Sequence, residues 1–396
     1  MPNKLLINVS PIRMPLTGIG YYTLNILSEL LSRDIDVVGI RNGKLLTRDA
    51  LLGLVSCFHL PSSNQSTPSP KTRFLVELLR SVPGIYQLKS YLLSLRAQQQ
   101  LKILANQGYV YFEPSFVPFN YLGVTITTVH DLSFLSHPSF HPATRVSYLK
   151  DKMRGTITRS DHIVVDSDFI LDELHDFFPS SKSKSSTLYL GVSDGFKAHS
   201  KQECGTLLKS LEIEHDNFLL SVATLEPRKN LNKLIDAFKL LPDSVRKLYP
   251  LVLVGDQGWK NSELMDNAKD LVERGQIIFT GYLADDDLKR LYASAGAFVY
   301  PSLYEGFGLP VIEAMASGAP VITSNVGATA EVAANGALLI DPSSEVSISN
   351  AILELIRDPE RKAKLVECGI KRASGFKWSN TVDQLLKIAS ATSRSS

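Results

Sequence analysis

Cysteine is scarce in this 396-residue chain. Cys57, Cys204 and Cys368 stand alone, and no Cys-x-x-Cys pair occurs. That excludes a disulfide framework and a thiolate zinc site and fits the reduced thiols of a cytosolic protein. Long apolar runs are also missing. No stretch reaches the ~20 apolar residues of a membrane span, and the opening MPNKLLINVS has too short an apolar run for the core of a signal peptide. No charge of one sign dominates: 42 Lys and Arg against 40 Asp and Glu leave a net +2. There is thus no global field for nucleic acid. No repeat of solenoid period occurs. The expectation is a cytoplasmic protein, peripheral at most to the inner face of a membrane.

What is present is ordinary for a soluble globular protein with full cores. The chain is 44% hydrophobic and 21% charged, and its length suggests two domains of roughly 150–200 residues. The charge is uneven. Residues 1–190 hold 19 basic and 14 acidic side chains, and residues 41–105 alone hold 9 and 2. Such a basic segment is either a solvated face or a contact for an anionic partner. Within it, residues 71–104 add leucines and tyrosines and suggest a lipid-linked acceptor or an anionic membrane as that partner. Residues 61–70, PSSNQSTPSP, read as a polar, proline-rich loop.

Short apolar runs recur along the chain. In the first half they are Leu5–Val9, Asp36–Ile40, Tyr109–Phe112, Val124–Val129, Ile163–Val165 and Leu188–Leu190. In the second they are Phe218–Val222, Leu251–Val254, Ile277–Thr280, Ala297–Tyr300, Pro320–Thr323 and Ala337–Ile340. Continuous runs of this length predict strands buried on both faces. Three- and four-residue spacings between them, as in Leu231, Leu234, Ile235 and Phe238, predict helices. Alternating strands and helices mean parallel sheets. The rhythm breaks at Gly191-Val192-Ser193-Asp194-Gly195, and the stretch 196–217 is polar and weakly patterned. The predicted plan is two Rossmann-like domains, 1–190 and 191–375, facing across a cleft, followed by a terminal helical segment, 376–396.

Ligands of such sheets bind beyond the carboxyl ends of the strands, and four motifs stand there. Thr17-Gly18-Ile19-Gly20 precedes an apolar helix; it is either a plain loop pair or a turn that brings backbone N–H groups to a phosphate. His130, in Val129-His130-Asp131-Leu132, is either a satisfied structural histidine or a ligand contact. Glu226-Pro227-Arg228-Lys229-Asn230 sets two cations at a helix start, where they oppose the dipole unless an anion binds. The fourth, Tyr304-Glu305-Gly306-Phe307-Gly308-Leu309-Pro310, runs on to Glu313. Its glycines allow tight geometry, Pro310 suits a first helical turn, and its carboxylates suit sugar hydroxyls. Glu313 is expected in the first turn of that helix. Two paired carboxylates could also be a glycosidase acid and nucleophile, but the cations and N–H groups nearby call for a phosphate.

The acid-x7-acid spacing of Glu305 and Glu313, with the other three motifs in order, resembles the retaining glycosyltransferases of the GT-B fold, in their large family 4. The resemblance covers nearly the whole chain. It implies that Gly18 and Gly20 approach the donor by backbone, that His130 lies near the reacting sugar carbon, and that Arg228 and Lys229 bind the diphosphate. Glu305 would hold sugar hydroxyls, Phe307, Gly308 and Leu309 would act through backbone groups, and Glu313 would hold the ribose. Tyr282 and Leu283 would pack the base. One departure is that Ala223-Thr224 stand where many relatives have Gly-Arg. The Thr-Gly-Ile-Gly and Glu-Pro-Arg-Lys-Asn stretches are similar to bacterial mannosyltransferases of surface-polysaccharide and O-antigen (lipopolysaccharide) assembly. That implies GDP-mannose as donor, a glycan or lipid-linked saccharide as acceptor, and a terminal helix that returns to the first domain.

No cofactor and no metal are expected, because Asp285-Asp286-Asp287 suits a helix cap from about 287 better than a divalent site. Other readings stay open: the same transfer from a UDP-sugar, a nucleotide-sugar epimerase, or a silent scaffold or sugar-binding protein.

Overall fold

The computed structural model describes residues 4–14, 16–59, 98–255 and 262–395. The loop 61–70 and all of the basic stretch 71–104 except 98–104 lie outside them. The chain forms two compact units. One is Met1–Gly191 with Trp378–Ser396, the other Val192–Lys377.

The first unit holds seven strands in the order β3-β2-β1-β4-β5-β6-β7. They are β1 Lys4–Asn8, β2 Asp36–Arg41, β3 Lys44–Leu46, β4 Val110–Glu113, β5 Thr125–Val129, β6 His162–Val165 and β7 Ser185–Thr187. β4 and β5 are buried throughout, as continuous apolar runs require in a sheet covered on both faces. The sheet is parallel except at one edge, where β3 returns antiparallel to β2 with Arg41 opposite Lys44. Asn42 and Gly43 make the two-residue turn, both at positive φ (50° and 79°), the geometry that matches strand twist in a tight hairpin. The expected strand 188–190 lies three residues earlier, at β7. Leu188 and Leu190 are buried, but beyond the strand.

The second unit holds six parallel strands in the order β10-β9-β8-β11-β12-β13. They are β8 Leu219–Val222, β9 Leu251–Val254, β10 Ile277–Gly281, β11 Ala297–Tyr300, β12 Val321–Ser324 and β13 Leu338–Ile340. One apolar core lies on each face of the sheet. Phe298 and Tyr300 point to one and Val299 to the other, each wholly or almost wholly buried. Each such aliphatic or phenyl side chain contributes about 1.5–3 kcal/mol. From β8 the chain winds outward through β9 and β10, then returns to β11 on the other side and winds out through β12 and β13. The direction reverses between β8 and β11. That reversal leaves a crevice at the carboxyl ends of these two strands, and the loops 223–230 and 301–308 flank it. In the first unit the same reversal falls between β1 and β4.

The terminal helix Trp378–Ser395 belongs to the first unit. The Trp378 ring meets Tyr22 edge-on at 6.1 Å. Thr381 Oγ1 donates to the Tyr189 carbonyl at 2.8 Å. Arg33, beyond the end of the first helix, donates to the Ser379 carbonyl and pairs with Asp383.

Candidate active site

After β8 the chain makes a short 3-10 turn, Pro227–Lys229, closed by Asn230 in the left-handed region (φ 60°). Asparagine tolerates that conformation better than most residues. Its amide also ties the turn down, donating to the carbonyls of Pro301 (3.1 Å) and Pro342 (2.7 Å). The loop after β11 docks on the same turn. Leu303 N–H and Ser302 Oγ both donate to the Arg228 carbonyl, at 2.8 and 3.0 Å. The β8–β11 adjacency thereby brings residues some 75 positions apart into one cluster.

Its centre is Glu305. Oε1 accepts from Lys229 Nζ (2.6 Å), Tyr300 Oη (2.9 Å) and Ser302 Oγ (2.6 Å), and Oε2 accepts from Arg228 Nη1 (2.7 Å). Lys229 Nζ also donates to Tyr300 Oη at 2.6 Å, and Arg228 Nε to Glu226 at 3.0 Å. Burial alone would raise the Glu305 carboxyl, but Arg228 and Lys229 outweigh it and hold it at about 2. Burial pulls the Lys229 ammonium down, helped by Arg228 and opposed by Glu305. Two cations and two carboxylates are thus fixed in a dry setting where charge is costly to move. The sequence suggested that the cations oppose a helix dipole. In the structure they precede the helix Leu231–Lys239 and are countered by Glu226 and Glu305.

Gly308 stands next along the loop, at φ 103° before the helix Leu309–Ala316. Only glycine takes that φ without strain, and an added Cβ would also press on Thr329 at 3.2 Å. Pro310 is in the first turn, so one N–H is removed there, while that of Leu309 has no acceptor within the helix. The Phe307 side chain is core, edge-on to Phe376 at 5.7 Å. Only its backbone can meet a ligand. Glu313 is in the second helical turn rather than the first, because the helix begins at Leu309. It is half-buried, accepts from Tyr292 Oη at 3.1 Å, and burial pushes its carboxyl up to about 7. The two acids of the motif are therefore set far apart, one locked in an ion cluster and one near neutrality.

Tyr282 follows β10 and is 47% exposed, with Leu283 half-buried beside it. Asp285, Asp286 and Asp287 do not cap the next helix, since Ala284 holds the cap position. They occupy its first turn, where acids favour the dipole, and pair with Lys289 and Arg290.

In the first unit Gly18 opens the helix Gly18–Leu31 and has clear space at its Cβ position. Gly20 has none: a Cβ there would lie 2.9 Å from Leu16 and 3.1 Å from the Pro11 carbonyl. Packing therefore excludes a side chain at Gly20, whereas the Cβ position of Gly18 is open. His130 follows β5 and is buried, Nδ1 bonded to Asp166 (2.8 Å) and Nε2 to the Pro114 carbonyl (2.7 Å). Asp131 caps the turn after it, accepting from Ser133.

Sequence reasoning missed Glu113, Asp166 and Tyr300. Glu113 ends β4, buried, with Asn8 and Tyr111 donating to it and burial pushing it up to about 8. Asp166 follows β6. Both obey the rule that singled out His130, a polar residue directly after an apolar run.

Residues 206–372 match the glycosyl transferases group 1. Over 384 residues the chain is 32% identical to the O-antigen chain mannosyltransferase B of Escherichia coli, covering 97% of this chain and 98% of that one. In structure it is similar to WaaG, a glycosyltransferase involved in lipopolysaccharide biosynthesis (TM-score 0.69, 17% identity, 97% and 99% of the two chains). It is similar too to Anabaena HepE solved with UDP and glucose (TM-score 0.67, 19% identity, 98% and 99%). Two parallel-sheet domains of the GT-B plan and a full-length mannosyltransferase relative together place this chain in the group 1 glycosyltransferases.

Proposed function

We propose that the protein transfers mannose, with retention, from GDP-mannose to a growing saccharide of a bacterial surface polysaccharide such as O-antigen. The observation that carries the transfer is the Arg228–Lys229–Glu305 cluster at the β8–β11 reversal, beside the helix that starts at Leu309. A departing diphosphate gains negative charge, and fixed cations with a helix N-terminus stabilise it as it forms. Glu313, one helical turn on, suits the ribose hydroxyls, and Tyr282 with Leu283 suits the base. The family resemblance supports Gly18 and His130 as further donor contacts. The mannosyltransferase relative supports the sugar, and a saccharide acceptor goes with it. On this reading the cations neutralise the leaving group and no divalent metal is needed. No side chain here is assigned as a covalent nucleophile.

Calorimetric titration with GDP, UDP and ADP in EDTA tests the donor. GDP is expected to bind tightest. Binding of UDP alone would replace mannose from GDP by a UDP-sugar, and loss of transfer in EDTA restored by Mg²⁺ would overturn the metal-free reading. The anomeric configuration of the product, read by NMR, tests retention.

A further inference from the structure

His130 and Asp166 stand at the carboxyl ends of adjacent strands, β5 and β6. The His130 ring lies between two acceptors. A carboxylate faces Nδ1 at 2.8 Å and a peptide carbonyl faces Nε2 at 2.7 Å. A carbonyl can only accept, an ionised carboxylate likewise, and only the doubly protonated ring donates from both nitrogens. The carbonyl is put there at a cost. Phe116, in the turn that follows Pro114, has φ 41°, a left-handed conformation that a bulky residue adopts only when its surroundings impose it. Its N–H is pinned to the Thr128 carbonyl of β5 at 3.0 Å. Two rings close round the imidazole, Tyr22 at 4.8 Å and 90°, and Phe116 at 5.8 Å and 69°. Tyr22 is fixed in turn by Thr128 at 2.9 Å.

We infer that Asp166 is a positioning residue that holds His130 as an imidazolium with both N–H groups turned into the protein. His130 then meets a ligand as a fixed cation and never as a proton acceptor, so the acceptor hydroxyl does not lose its proton to it. The catalytic part of this rests on the reading that His130 lies in the donor site. The titratable groups that face the ring are Asp166, Asp131, Glu113 and Tyr22; burial raises the Asp166 carboxyl, and the His130 charge works against that rise. Burial opposes the charge, but Asp166 together with the Pro114 carbonyl and Asp131 raises the imidazole above its ordinary range. Glu113, at the end of β4, feels the same charge. Tyr22, from the first helix, stays neutral because burial lifts its phenol far up.

The test is NMR titration of the His130 ring in the full chain, assigned by difference from His130→Gln, with transfer rates over the same pH range. Wild type is expected to keep an imidazolium above the usual histidine midpoint of about 6.5. Asp166→Asn is expected to lower that midpoint by about one unit or more and to give transfer that falls as pH rises through it, with Asp166→Glu restoring the profile in part. A purely structural role for Asp166 would lower rate or stability equally at every pH. A neutral His130 in wild type at pH 7, or an Asp166→Asn profile parallel to wild type, overturns the inference. Undiminished transfer by His130→Gln would instead overturn the placement of His130 in the donor site, while the wild-type titration still decides the His130–Asp166 assignment.

Discussion

Lys229 Nζ and Glu305 Oε1 are 2.6 Å apart, and neither residue is as much as a tenth exposed. The carboxylate proposed to meet the sugar is therefore also the counterion of the buried cation. Removing one partner of such a pair costs more than the pair contributes, about 3–5 kcal/mol, because the other charge stays buried without compensation. Glu305→Ala is expected to lose that much in urea unfolding of the second unit. Lys229→Ala leaves Glu305 with Arg228 and is expected to be milder in stability. Its transfer rate should still fall at least about tenfold. Normal turnover by Lys229→Ala would remove the cluster from the active site.

Tyr300 is wholly buried, and its hydroxyl accepts from Lys229 and donates to Glu305. Tyr300→Phe keeps the ring in the core and strands one hydrogen bond on each charge. Losses of this kind cost about 1–3 kcal/mol. The expected variant is folded, destabilised within that range, and slower in transfer because Lys229 is less firmly placed. Wild-type kinetics in a destabilised Tyr300→Phe would confine the hydroxyl to folding.

Glu313 gives the site a pH dependence. Burial raises its carboxyl to about 7 in the folded chain, against about 4.3 unfolded. The folded state thus prefers the protonated form, and this group's contribution to stability declines as pH rises from about 4.3 to 7. Ligand binding runs the other way. The carboxylate is the better acceptor for ribose hydroxyls and predominates only above about 7. Nucleotide affinity is expected to weaken between pH 8 and pH 6, and Glu313→Gln to flatten that slope. Calorimetry at the two pH values decides it, and an unchanged slope in Glu313→Gln would assign the dependence elsewhere.

Much of this fold is legible because buried parallel strands are written as unbroken apolar runs, and the residues after them fall at the sheet's ligand edge. The β8–β11 neighbourhood is what joins Arg228 to Glu305, 77 positions away, and no local pattern announces it. Edge elements are harder to read. β3 is three residues long and only half-buried, so its one signal is Asn42-Gly43. β7 is Ser-Ser-Thr, with no apolar residue to mark it. The polar stretch after the first unit hides the helix Lys201–Ser210, announced only by a capping box of Ser200 and Glu203. Glu113 and Asp166 sit where His130 does, but carboxylates after strands read as ordinary loop residues until their burial is seen.

Gly255 directly follows β9 at φ 151°, its N–H bonded to the Gly281 carbonyl at 3.0 Å. A Cβ there would stand 1.9 Å from the Ala223 carbonyl oxygen and 2.7 Å from its carbon, well inside any real contact. The obstacle is backbone, so no side chain can swing away. Ala223 is itself tied to β9 by its N–H to the Val254 carbonyl at 2.9 Å. Relief must come from moving the segment that leads to Arg228 and Lys229. Gly255→Ala is therefore expected to lower stability and transfer together. Gly205 is the control. It lies exposed in the helix Lys201–Ser210 with nothing near its Cβ position, and Gly205→Ala is expected to raise stability by about 1 kcal/mol and leave transfer unchanged. Thermal unfolding and initial rates of the two variants measure both. A Gly255→Ala protein as active and stable as Gly205→Ala would mean that the ends of β8 and β9 can part without disturbing the cations beyond them.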